Sequence, residues 1–177
     1  VVDLWSLLPH FCVDPRDVKV GFPPLAAILA KAAGDKRYPQ LLTIICSALK
    51  TLASGVKQRA EDEEAQIGGD ERDDGQERDA RGDLQALSEA STKLLPSLFR
   101  IVETLHGTDT SGGSKKAAGN SDGMEVEGAD GEDGASEDDA HRVPAVAEAI
   151  GALATVCPAP FLSNLFKKVV QRLLVAT

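Results

Sequence analysis

Three apolar stripes of helical spacing follow one another within the first 53 residues, and no strand-like alternation separates them. Leu4, Leu7, Leu8 and Phe11 hold i, i+3, i+4, i+7 spacing, and Leu25, Ile28, Leu29 and Ala32 repeat it. Leu41, Ile44, Ile45, Ala48, Leu49 and Leu52 carry it through three turns. Spacing of this kind gathers each apolar set on one helix face. A chain of one-faced helices buries them by stacking helix on helix, so the expected fold is all-α, an α-solenoid of helix pairs. Solenoids hold partners more often than they catalyse.

Punctuation residues divide the chain. A first helix is expected over 2–12, ended or kinked by Pro9. A second begins near Pro23-Pro24, since proline suits a first helical turn, and ends at Gly34. A third runs from about Pro39 to Ala53 and stops at Gly55. Residues 1–55 then form a first helical block, and 56–82 an acidic disordered linker. A long helix over 83–106 follows, bent or restarted at Pro96. It is lined by Leu84, Leu87, Leu94, Leu95, Leu98, Val102 and Leu105. Residues 107–141, rich in Gly, Ser, Asp and Glu, read as a second disordered insert. Residues 142–177 form a helical hairpin. Its first stripe is Val143, Val146, Ala147, Ile150, Leu153, Ala154 and Cys157, and its second is Phe161, Leu162, Leu165, Phe166, Val169, Leu173 and Leu174. The turn between them holds Pro158 and Pro160. Two antiparallel helices on a short proline turn make one HEAT-like unit.

Charge is distributed unevenly. The stretch 56–83 has 5 Lys+Arg against 11 Asp+Glu, and 107–141 has 2 against 10. Together they hold a charge of −14, while the whole chain is −9, so the helical remainder is +5. The acidic balance therefore belongs to the inserts. A cationic cluster stands in the last helix, where Lys167, Lys168 and Arg172 share a broad face, with Lys93 and Arg100 as neighbours to add. Such a face is either a solvated helix surface or a contact for RNA phosphates or an acidic partner.

Other chemistries find little support. Cys12, Cys46 and Cys157 stand far apart in or beside apolar stripes, without a CxxC, and read as buried thiols of a reducing compartment. The three histidines, His10, His106 and His141, are scattered and suggest no metal site. No nucleophile elbow occurs, and Gly112-Gly113-Ser114-Lys115-Lys116 lacks the first glycine of a phosphate loop. The expectation is no enzyme, no cofactor and no small-molecule substrate. Aromatics make up 4%, with one Trp and one Tyr, so packing rests on Leu, Ala, Val and Ile and little remains for stacking bases. Trp5 is expected to pack in the core. No secretory leader is evident, and no apolar run approaches the roughly 18 residues of a membrane span. A start on Val1 and an end inside a helix suggest a piece of a longer chain. Ser136, followed by Glu137-Asp138-Asp139, suits an acidophilic kinase, and Ser121 suits one less well.

The stretch LWSLLPHFCVDPRDV at Leu4–Val18 is followed by Phe22, Leu25, Ala26 and Leu29, and then by a helix containing ALKTL. This order resembles the ribosomal RNA-processing protein 12 family, long nucleolar HEAT-repeat proteins. LLPSLFRIVETLHG at Leu94–Gly107 is similar to the family's LP-x-LFN helix, and AVAEAIGALATVCPAPFLSNLFKKVVQRLL to its next repeat. The resemblance covers every expected helix and neither acidic insert. Gly21 and Pro24 stand where the family usually continues a helix. It implies a non-catalytic scaffold in the nucleus and nucleolus, shuttling to the cytoplasm. That scaffold would serve pre-ribosomal RNA processing and the assembly and export of the small-subunit precursor. Its partners would be the pre-ribosomal particle and nuclear export machinery. The alternative is a HEAT-repeat nuclear transport receptor of the importin or exportin type, or another protein-binding solenoid.

Overall fold

A computed structural model describes residues 2–66, 79–110 and 137–175. They form seven helices: α1 (Val2–Trp5), α2 (Leu8–Phe11), α3 (Val18–Ala33), α4 (Gln40–Gln66), α5 (Ala80–Thr110), α6 (Glu137–Ala154) and α7 (Ala159–Val175). No strand occurs among the described residues. Of the stretches expected to be disordered, 56–82 and 107–141, residues 67–78 and 111–136 lie outside the described residues.

The helices stack in two layers. α3 packs chiefly on α5, and α4 on α6, while α1 and α2 lean on α4. The Lys19 backbone at the start of α3 bonds to Asp83 near the start of α5. The end of α3 shares a cleft with Ile101, Thr104 and Leu105. These two helices therefore run in the same direction. In the other layer Lys50 of α4 pairs with Glu148 of α6 at 2.8 Å. α7 starts after a turn that borders Arg81, Leu84 and Gln85 of α5, and its Arg172 meets Glu103 further along that helix. It thus runs in the same direction as α5, set more loosely against it than α3 is. Helices alternating between two layers, like stacking on like, are the arrangement of a helix-pair solenoid.

Ile45, Leu49, Leu87, Leu95, Leu98, Val56, Val146 and Leu153 are fully buried between the layers. The expected stripe of α4 is core throughout, with Ile44 only half-buried. Other stripes need correction. The buried line of α3 is Val18, Phe22, Ala26, Leu29 and Ala33, while Ile28 faces solvent. Leu4, Leu7 and Phe11 are exposed, Phe11 by 77%, and only Trp5, Leu8 and Cys12 of that segment pack on the core. Phe166 and Leu174 of α7 are exposed as well, Phe166 by 60%. Spacing alone places residues on a common face. Whether that face is covered depends on which helices lie beside it, and these sit at the two ends of the stack.

Several helix boundaries also move. α3 starts at Val18 and passes through Pro23 and Pro24 instead of starting there. The lost helical N–H groups lie on its exposed side, where no buried carbonyl is orphaned by them. The first helix is split at Ser6-Leu7 into α1 and α2, ahead of Pro9. α4 does not stop at Gly55 but continues to Gln66. Val56 extends its buried stripe, Lys57 and Glu61 pair one turn apart, and Glu63 and Arg59 tie it to α5 and to the loop before α3. α5 passes unbroken through Pro96. Both α5 and α6 reach into the stretch expected to be disordered from 107 to 141. α6 begins at Glu137.

Candidate partner-binding surfaces

The position of each surface depends on how the helices are fixed to each other, and one carboxylate does much of that. Asp83 is buried, 3% exposed. Its Oδ1 accepts a 2.8 Å hydrogen bond from the Lys19 backbone N–H in the first turn of α3. Its Oδ2 lies 3.5 Å from Arg59 Nη1 of α4, which also donates to the Pro15 carbonyl. Asp83 thus caps a neighbouring helix, while α5 itself is capped by Asp79, whose Oδ1 accepts from the Gly82 N–H at 2.7 Å. Asp17, just before α3, has φ of 53° and makes no side-chain cap. The Lys19 ammonium bonds Asp79 at 2.8 Å, which raises the lysine pKa and lowers that of the carboxyl.

The described surface is divided by charge. Among residues with described side chains, α3, α5 and α7 carry eight Lys and Arg against three Asp and Glu. On the same count α1, α2, α4 and α6 carry four against six. One layer is therefore cationic and the other anionic. Among the cationic layer's residues, Lys31, Lys93, Arg100, Lys167 and Lys168 are exposed and make no ion pair with any described residue. Arg172 is exposed but engaged, 3.1 Å from Glu103. The expected cluster of Lys167, Lys168 and Arg172 is therefore two free cations and one that pins α7 to α5. Lys93 and Arg100 lie on the solvent stripe of α5, beside Glu89 and Glu103. Ser121 and Ser136 fall outside the described residues.

A second cationic place stands in the α3–α4 turn, which sequence reasoning passed over. Arg37 donates to Asp35 through Nη2 at 2.6 Å and Nε at 3.0 Å, and its backbone N–H adds a third bond at 3.1 Å. These bonds hold the Asp35 carboxyl down to about 2 and raise Arg37. The same guanidinium sits over the ring of Tyr38, 5.9 Å from its centroid. Lys36 lines a cleft of about 410 Å³ between this turn, α5 and the start of α6.

The thiols are far from any such chemistry. Cys46 is buried, and desolvation pushes it up to about 12; the half-buried Cys12 and Cys157 are raised for the same reason. Among the described residues no three His, Cys, Asp or Glu side chains converge as metal ligands, and no helix is long and apolar enough to cross a membrane.

An all-α stack of helix pairs alternating between two layers is a HEAT-type solenoid. The sequence matches the family described as "Ribosomal RNA-processing protein 12, HEAT repeats" over residues 1–105, and the chain belongs to that family. It is similar to the RRP12-like protein of Homo sapiens, with 43% identity over 49 residues, and to the RRP12-like protein of Gallus gallus at the same identity and length. Those matches cover 28% of this chain and 4% of either relative. No solved structure matches it.

Proposed function

We propose that this chain serves the maturation of ribosomal RNA as a non-catalytic scaffold of the nucleus and nucleolus. It holds pre-ribosomal particles during processing, assembly and export of the small-subunit precursor, and meets export machinery while bound to them. The observation that carries this reading is the family match over residues 1–105, joined to a cationic layer in which Lys31, Lys93, Lys167 and Lys168 make no ion pair with any described residue. A particle whose surface is largely RNA phosphate attracts such a layer, and the attraction weakens steeply with salt. Lys167 and Lys168, free on α7, are the first contacts to test, while Arg172 keeps α7 in place through Glu103.

Reversing both lysines, Lys167→Glu with Lys168→Glu, should move the tagged protein out of the pre-ribosomal fractions of a sucrose gradient and toward the top. The fraction that remains bound should depend less on salt. Unchanged co-sedimentation across the salt series would remove the α7 face from the reading.

A further inference from the structure

The cationic layer does not end at α7. Because α3, α5 and α7 run in one direction, residues near the last turns of α3 and α7 come level with the stretch 101–105 of α5. Lys31 stands in the last two turns of α3, and Arg172 in the last turn of α7. Arg100 lies one turn before Glu103, the residue that Arg172 meets, and Lys168 lies one turn before Arg172. Lys31, Arg100 and Lys168 therefore form a row across the layer, from α3 to the closely packed α5 and on to the more loosely set α7. At the α3 end the row meets Lys36, Arg37 and Tyr38 of the turn.

Tyr38 changes what this row can bind. It is the chain's one tyrosine, and it is 39% exposed although a solenoid turn could accept any polar residue there. A phenol ring with a guanidinium over it is a flat platform of the kind on which bases stack, and Arg37 stays oriented because Asp35 holds it by two side-chain bonds. Acidic protein segments would use the cations and leave the ring idle. Duplex RNA would present phosphates and keep its base faces inside the stack.

The geometry points to a single-stranded RNA site on the α3–α5–α7 layer: the backbone crosses Lys31, Arg100 and Lys168, and one unstacked base rests on the Arg37–Tyr38 platform. This deepens the proposed role, on which it rests for RNA as the partner; the surface and the strandedness are argued from the turn and the row. The test uses the purified chain and a short, labelled, mixed-sequence single-stranded RNA, followed by fluorescence anisotropy across a salt series. Tyr38→Ala should weaken binding about tenfold, as loss of one stacked base does, with the salt slope unchanged. Tyr38→Phe keeps the ring and should bind like the parent, which separates stacking from any disturbance of the turn. Arg100→Gln and Lys168→Gln should each flatten the slope of log affinity against log salt by about 0.7, the value for one phosphate contact on a single strand. Lys50→Gln, on the anionic layer, should change nothing. Equal binding by Tyr38→Ala and the parent would overturn the inference. So would equal affinity for a fully paired hairpin, or competition by polyglutamate as effective as competition by unlabelled RNA. Purified components contain no pre-ribosome, so this assay and the gradient experiment fail independently.

Discussion

Asp83 is legible in the sequence as an acidic residue near a helix start, and nothing local says which helix it serves. Its partner, the Lys19 N–H, lies 64 positions away, and the cap of α3 therefore cannot be read from residues 14–18. This is why the prolines read as the start of α3: the local signal there is real, and a tertiary cap overrides it. Removing the carboxylate leaves an orphaned N–H in the first turn of α3 and a half-buried Arg59 with only the Pro15 carbonyl to bond. Asp83→Ala should lower the unfolding free energy by roughly 2–4 kcal/mol, the range for breaking a buried, charged hydrogen-bond network. Asp83→Asn keeps the acceptor for Lys19 and should cost about half as much. Denaturant unfolding of the two variants checks this, and a loss below about 0.5 kcal/mol for Asp83→Ala would mean that the pair to Arg59 and the cap contribute no more than an exposed contact does. Tyr38 is equally hard to find, because one tyrosine among 177 residues argues against base stacking until the turn lays the neighbouring Arg37 guanidinium over its ring.

At the scale of the element, α4 shows the limits of punctuation residues. Its buried line from Leu41 to Leu52 is plain in the sequence, but Gly55 reads as a stop. In the fold that glycine serves a close approach. A Cβ there would lie 3.0 Å from Pro15 Cδ and 3.2 Å from its Cγ, so the glycine lets the loop before α3 come up against the helix. Pro15 is itself held by the Arg59 bond to its carbonyl and is buried, which leaves it little room to retreat. Gly21 is the contrast. It also lies inside a helix, α3, and a Cβ there would meet nothing within 4 Å. Alanine should therefore raise stability at Gly21 by about 1 kcal/mol through helix propensity alone, and at Gly55 the same gain should be cancelled or reversed by the contact with Pro15. Thermal melts of the two single variants give the order directly; a Gly55→Ala melting temperature at or above that of Gly21→Ala would show that the Pro15 loop yields freely.

Across the whole molecule, the fold class and the cationic helical part are visible in the sequence. The division of charge by layer is not, because layers exist only once alternate helices are known to stack; summing the charge of every second helix would have exposed it. The same blindness affects α7. Its stripe of Phe161, Leu162, Leu165, Phe166, Val169 and Leu174 reads as strongly as that of α4, yet none of its described residues is buried, and Phe166, Val170 and Leu174 face outward. Phe161, Leu162 and Leu165 are only partly covered by the core, and the link further along is the exposed pair of Arg172 and Glu103, 64% and 48% exposed. Such a pair is worth about 0.2–1 kcal/mol. Stability within a domain follows local burial, so α7 should open far more easily than the helices it lies on. In native-state hydrogen exchange, amides of 162–174 should exchange faster than those of 45–56 and 87–98. In denaturant they should reach the global unfolding line last of all segments, because they open by their own local route at every concentration. If single-stranded RNA bridges α5 and α7 as proposed, adding it should slow α7 selectively, since Lys168 and Arg100 would then be tied to one strand. Protection of α7 equal to that of α4 in the free protein would mean that its outward apolar face is already covered in solution, by another copy of the chain, and a concentration series of the same exchange measurement would reveal it.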